Sequence, residues 1–209
     1  IAKKFTKNIY ETKNNNFDQN RDYLKSLAKN DWLLYIDADE RLSESGISEV
    51  KKTTNLQNPK SAYYIPRKNF ILGKWVRHGG WWPDFSPRLF KKSQLVGWQG
   101  NVHETPHVEG TFGYLKNPLI HQSGRSVSQM FNKSIKWAQV ESNLYDEANY
   151  PKVNQFRVIK AMIIEFTRRF IVKLGFLDGT IGLVEALYQS IHQAMILTYL
   201  WEKRNAKKL

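Results

Sequence analysis

The spacing of apolar residues changes several times along the chain, and each change predicts an element. Residues 17–30, FDQNRDYLKSLAKN, set Tyr23, Leu24, Leu27 and Ala28 at helical spacing, with Asp18 as N-cap and Lys29-Asn30 as a basic stop. The uninterrupted WLLYI of 32–36 follows and reads as a strand buried on both faces. A helix feeding such a strand is the repeating unit of a mostly parallel α/β sheet. SESGISEVKKTTN predicts a short helix capped by Ser43 or Ser45. SAYYIPRKNFIL and SPRLFKKSQLVGW predict strands, separated by the turn-rich GKWVRHGGWWPD. The start, IAKKFTKNIYET, reads as the end of a helix running into a short strand.

After His121 the pattern becomes helical. An amphipathic helix over 126–148 opens at Ser126 or Ser128, and a second over 154–173 carries Phe156, Ile159, Ile163, Ile164, Phe166, Phe170 and Ile171. GFLDGT interrupts, and a third helix covers Ile181 to Trp201. It is largely apolar, yet Glu185, Gln189, Ser190, His192 and Gln193 put a polar stripe along it. A spanning helix needs about 20 predominantly apolar residues, so an interfacial or core helix fits better. The expected division is an α/β part, 1–124, and a helical part, 125–209.

Composition narrows the picture modestly. The 209 residues include seven Trp and eleven Phe, enough for a real core in one domain or a domain with a helical appendage. The absence of cysteine excludes disulfides and thiolate metal sites and fits a reducing compartment. The opening residues lack the apolar segment of a signal peptide, and a chain starting at Ile1 in mid-unit reads as a fragment. A net charge of +13 favours phosphorylated substrates or an anionic membrane surface. The basic residues are dispersed and no nucleic-acid-binding motif is visible, so nucleic acid is not an expected partner.

The candidate chemistry begins where the WLLYI strand ends in Asp-Ala-Asp-Glu. Asp37 stands where the strand emerges, and ligands bind at the carboxyl ends of strands in open α/β sheets. Asp37 and Asp39 repel each other unless a cation or proton relieves them. Two readings follow: an Asx turn capping the next helix, or a divalent-metal site facing a phosphate. In RHGGWWPD, Gly79 and Gly80 permit close backbone approach to a ligand, beside Trp81 and Trp82, of which one packs in the core. Arg77 and Arg88 are candidate phosphate contacts.

Taken together, DWLLYIDADERLS, YIPRKNFILGKWVRHGGWWPDFSPRLFKK, GWQGNVHE and FLDGTIGLVEA resemble the inverting family-two glycosyltransferases of the GT-A fold. The branch they most resemble is that of bacterial enzymes acting on lipopolysaccharide core and related cell-envelope glycans. The resemblance implies an incomplete GT-A, Rossmann-like mixed-sheet domain followed by helices. It implies a nucleotide-sugar donor, a lipid-linked or glycan acceptor, and Mg²⁺ or Mn²⁺ to neutralise the departing diphosphate. Asp39 is then a direct or water-mediated metal ligand, Asp37 lies nearer the ribose or shares the metal, and His121 in LIHQSG closes the site. Glu104 in NVHE is the base that takes the acceptor's proton, as an inverting reaction requires. His103 orients Glu104 or binds acceptor, and Asn20 and Arg21 lie near the nucleotide. Gly79, Gly80, Trp81 and Trp82 fall on the acceptor or sugar side.

The family's opening strand–helix–strand unit has no counterpart here, so an inactive, basic module holding anionic lipid or glycan is the competing reading. In either case the expected location is cytoplasmic, peripheral at the inner face of the membrane. Arg168, Arg169, Lys173, Lys203, Arg204, Lys207 and Lys208 flank the apolar helices there.

Overall fold

Strand β3 (Ala62–Ile71) is the spine of the molecule, as the computed structural model shows over its described residues, 2–12, 16–100 and 104–206. One long edge of β3 pairs antiparallel with β5 (Asp84–Lys91). The other pairs parallel with β8 (Phe112–Tyr114) and, further along, with β9 (Leu119–Gly124). Pro66 sits mid-strand without an N–H to donate. It falls between the β8 pairing, which ends at Tyr64, and the β9 pairing, which starts at Arg67. The remaining members are β1 (Trp32–Leu34) beside β5, β2 (Glu40–Leu42) beside β9, and the short β4 (Lys74–Trp75) on β3. Strands β6 (Leu95–Gln99) and β7 (Thr105–Val108) form a separate antiparallel ribbon.

The α/β class and the mixed sheet that the resemblance implies both stand; the mostly parallel sheet suggested by the helix–strand order does not, since β3 is antiparallel to β5 and parallel to β8 and β9. Strand β1 also departs from expectation. It pairs antiparallel with β5 alone among the described residues, and its two faces are covered unequally. Leu33 and Tyr35 join Phe90 and Trp98 in the core, while Leu34 and Ile36 on the other face are 36% and 42% exposed. The SPRLFKKSQLVGW segment is two strands, because the turn at 92–94 divides β5 from β6. Helix α1 (Phe17–Leu27) begins one residue before Asp18, which lies in its first turn, where its charge suits the helix dipole. No residue of α1 is buried. The N-terminal stretch is a 3₁₀ turn at Ala2–Lys4 with no strand after it, its Phe5 exposed. Helix α2 (Glu44–Thr54) is capped by Ser43, whose hydroxyl accepts from Gly46 N.

Among the described residues, every element after β9 is helical. Helix α3 (Val127–Glu147) is capped by Ser126 through Gln129 N, and α4 (Gln155–Phe166) by Asn154 through Arg157 N. A π-helical turn (Thr167–Val172) and a 3₁₀ turn (Gly175–Asp178) lead into α5 (Thr180–Ala206). Gly175 and Gly182 permit this tight junction, because a Cβ on Gly182 would collide with the Gly175 carbonyl. The helices meet the sheet through Ile71, Val76, Met130 and Ile181. Among the described residues no helix is long and apolar enough to cross a membrane.

Candidate active site

The three carboxylates of Asp-Ala-Asp-Glu have separate duties. The turn between β1 and β2 closes with Glu40 N donating to Asp37 O at 2.9 Å, and no Asx cap is involved, since Ser43 caps α2. Glu40 is buried and accepts from Arg88 Nη2 at 2.5 Å, with Arg67 at 3.6 Å. It also accepts from Asp37 N at 3.1 Å, so it fixes the turn. Asp37, half exposed, is held by Arg88 (2.5 Å) and Arg21 (3.3 Å). Burial alone would raise its pKa; the guanidinium of Arg88, then that of Arg21, outweighs this and holds it below the usual carboxylate value. Arg88 is therefore a buried clamp on two acids rather than an open phosphate contact.

Asp39 faces the other way, with its Oδ2 3.5 Å from His121 Nε2. The hydrogen bonds behind His121 fix its tautomer. Asp84 can only accept, so the Asn69 atom 2.8 Å away is the amide nitrogen, which also reaches Trp81 O at 3.3 Å. Asn69 Oδ1 then faces His121 Nδ1 at 2.6 Å, and Nδ1 carries the proton. Burial, then the positive charge of Arg67, keeps the imidazole below its usual pKa against the opposing Asp39 and Glu40. A bare Nε2 lone pair thus confronts a carboxylate oxygen. Two acceptors face each other, and only a proton or a cation reconciles them.

Both groups open onto a cavity of about 650 Å³ between the sheet and the helices. Arg21, Asp37, Asp39, Trp81, Glu104 and His121 all line it, so six sequence-derived candidates from five separate stretches converge. The others stand elsewhere. Asn20 is on α1, outside the lining. Trp82 packs edge-on against Trp75, with ring centroids 5.6 Å apart. Gly79 and Gly80 use their freedom for the turn itself, at φ +65° and +89°. Gly79 N donates to Lys173 O, Arg169 donates to Gly79 O, and a Cβ at Gly80 would meet the Lys173 side chain. Arg77 and His78 donate their backbone N–H groups to Asp178 Oδ2 at 2.9 and 2.7 Å, and His78 Nδ1 lies 2.8 Å from Oδ1. This latch from the helical region carries Trp81 to the cavity wall. His103 lies outside the described residues.

Several lining residues escaped sequence reasoning: Arg67 and, from the helices, Lys133, Trp137, Glu141, Glu185 and His192. The polar stripe on the last helix was the available signal. Glu185, Gln189 and His192 recur at helical spacing, and the stripe faces the cavity.

No family model matches the chain. Curated relatives do. An uncharacterized glycosyltransferase of Rickettsia prowazekii is 25% identical over 189 residues, covering 80% of this chain and 61% of the relative. Those of Rickettsia conorii and Rickettsia typhi are 27% and 25% identical over 197 residues, covering 87% of this chain and 68% and 66% of theirs. The chain is similar to rickettsial glycosyltransferases. It spans about three fifths to two thirds of their length.

Proposed function

We propose that this protein works in sugar transfer from a nucleotide-sugar donor to a lipopolysaccharide-core or related cell-envelope acceptor, with inversion at the anomeric carbon. The observation that carries the reading is the Asp39–His121 pair, two acceptors 3.5 Å apart on a cavity that also gathers Glu104, Trp81, Arg67 and Lys133. Among the described residues no three His, Asp or Glu side chains are grouped to hold a metal. Asp39 and His121 would nevertheless hold a divalent cation, with Asn69 orienting the imidazole through its hydrogen bond to Nδ1. Mg²⁺ or Mn²⁺ held there supplies positive charge for the departing diphosphate. Asp37, neutralised by two arginines, acts through position beside the nucleotide.

The protein's own residues account for the remaining steps. Lys133 brings further positive charge to the cavity, which Arg67, paired with Asp84 and Glu40, also lines. Glu104 takes the proton from the acceptor hydroxyl as that oxygen bonds to the anomeric carbon. The bond to the diphosphate breaks on the opposite face, and the nucleoside diphosphate leaves. In this division, 1–124 binds donor and carries the chemistry, and 125–209 supplies the acceptor side.

The same proposal locates the reaction at the inner membrane surface. Phe156, Ile159 and Ile163 of α4 are exposed, as are Leu183, Leu187 and Ile191 of α5. Arg157, Lys160 and Lys173 are exposed along the same helical region, whereas Arg168 is paired with Glu165 at 2.6 Å. Each basic side chain near an anionic surface contributes about 1 kcal/mol. Lys203 and Arg204 are engaged with Asp146, so they add little, and Lys207 and Lys208 lie outside the described residues. Sedimentation with anionic but not neutral vesicles, reversed by salt, is the expected result; equal partitioning to both refutes electrostatic docking.

The decisive test is calorimetry of UDP, GDP, CDP and TDP with and without Mn²⁺. One of them binds in a Mn²⁺-dependent manner, and Asp39→Asn abolishes that dependence. Unchanged Mn²⁺-dependent affinity in the mutant removes the metal assignment. Absence of nucleotide binding, with vesicle binding retained, favours the basic lipid- or glycan-binding module.

A further inference from the structure

The junction between α4 and α5 leaves its apolar side chains in solvent and engages its polar groups with the protein. Of the seven residues from Ile171 to Leu177, five are large and apolar, and Ile171, Val172, Leu174, Phe176 and Leu177 are all exposed. Leu174 stands at φ 57°, a conformation that glycine or asparagine adopts more cheaply. The polar groups turn the other way. Asp178 accepts from Arg77 N and His78 N, Gly79 N donates to Lys173 O, and Arg169 donates to Glu165 and to Gly79 O. Within the segment, Lys173 N donates to Arg168 O, Leu174 N to Ile171 O and Leu177 N to Leu174 O. With these backbone groups already paired, the tip gives up few hydrogen bonds on leaving water.

The surroundings of this tip are basic. The Lys173 side chain packs beside Gly80, and in the loop latched to the junction Arg77 and Lys68 lie over the Trp75 ring at 4.2 and 4.5 Å. None of these three cations forms an ion pair among the described residues, because the nearby acids are taken. Asp84 is held by Arg67, Asp178 by His78, and Glu165 by Arg168 and Arg169. We propose that residues 171–177 form a wedge that enters the interfacial layer of an anionic bilayer, with Lys173 and Arg77 at the lipid phosphates. The inference rests on the membrane-docking part of the reading above and names the element that makes the contact. An apolar tip beside unpaired cations matches anionic lipid in both its parts, acyl boundary and headgroup. A second copy of this chain fits less well, since a two-fold contact through the tip would set the same cations against themselves. Asp178 and Arg169 tie the wedge to the loop that carries Trp81, so docking by this element brings that wall of the cavity to the bilayer.

The chain has no cysteine, so single cysteines can report on the wedge. Val172→Cys and Phe176→Cys, each carrying an environment-sensitive fluorophore, are titrated with vesicles of phosphatidylcholine alone or with added phosphatidylserine. Leu56→Cys, equally open but just beyond α2, is the control. With phosphatidylserine present, both wedge labels shift to the blue and are quenched by nitroxide lipids, and the control label is not. Val172→Glu with Leu177→Glu weakens vesicle binding at least about tenfold, and Lys173→Gln with Arg77→Gln weakens it about thirtyfold. Thermal denaturation checks that both pairs keep the fold. Labels that stay in water while wild-type protein sediments with the vesicles overturn the wedge and leave docking to the faces of α4 and α5. Equal shifts with neutral vesicles overturn the choice of an anionic surface. A blue shift without lipid, with a dimer in analytical ultracentrifugation, assigns the tip to a second copy and overturns the proposal. Wild-type protein that sediments with no vesicle removes the docking reading and the wedge together, and the nucleotide test of the cavity is unaffected.

Discussion

The sheet and the helices of this protein both bury apolar cores, but they treat the middle of the cavity wall differently. In the sheet, Ile65, Leu89, Phe90 and Leu119 are fully enclosed, each worth about 1.5–3 kcal/mol against exposure. The acids and arginines of that region gather at the cavity. In the middle of α5 the arrangement is turned over. Glu185, Gln189 and His192 face inward, while Leu187 and, on the neighbouring α4, Ile163 are 46% and 60% exposed. A stretch that presents apolar side chains outward and polar groups to a cavity, between apolar contacts at either end, suits an apolar medium on one side and a wet, ligand-holding cavity on the other. The contrast explains why one amphipathic pattern carries two messages. On the proposed reading its polar side faces the substrate and its apolar side the bilayer.

The contrast can be broken by experiment, most strongly on the outer face. Replacing Ile159, Ile163 and Leu187 together by Glu should weaken anionic-vesicle binding roughly a thousandfold, from the apolar burial forfeited, while thermal stability in water stays unchanged. A collapse in stability instead means that these side chains pack against protein. On the sheet side, Glu104→Gln should cut turnover at least about a hundredfold and leave nucleotide affinity intact. Turnover near wild type would move the base to the helical wall and erase the proposed division of labour.

Glu185 sharpens the comparison from within. Burial lifts its pKa to about 7 from the ordinary 4.5, against the opposing effects of Gln189, Arg169 and Trp81. The folded state therefore holds a proton that the unfolded state releases first. Stability is fully present below about pH 4.5, declines as pH rises and is lost through about pH 7, by about 3 kcal/mol in all. Glu185→Gln should remove this slope, stabilising the protein at pH 8 and much less at pH 5, as denaturant titration will measure. Equal effects at both pH values refute the buried-acid account. The smallest change expected is at the junction. Asp178→Ala strands two backbone N–H groups of the loop and should cost about 2 kcal/mol; a loss no larger than that of an exposed substitution would show that the latch is dispensable.

The sequence disclosed a good part of this arrangement, for identifiable reasons. Helix starts at Ser43 and Ser126 were legible because a hydroxyl before an amphipathic run has one obvious use. The α/β class followed from the sequence of periodicities. The WLLYI strand misled, because a continuous apolar run says how much surface wants cover and not how many strands are present to provide it. Arg88 was indistinguishable from a surface cation in sequence; its role depends on Asp37 and Glu40 lying across a strand pairing that no local pattern encodes. The polar stripe of α5 was visible, but its direction was not, since spacing fixes a face without fixing what the face meets.

The latch at Asp178 also orders events in time. It joins residues a hundred positions apart in the chain, so it is among the contacts that a growing or refolding chain makes late. The sheet strands from Trp32 to Gly124 can pair before it forms, and Asp39 can meet His121. Until Asp178 arrives, the loop that holds Trp81 has its bonds to Asn69 but lacks those to Arg77 and His78. Assembly thus has a built-in sequence, with the acid–imidazole pair formed ahead of the wall that faces it. A nascent chain can make its charged centre first and its cavity last.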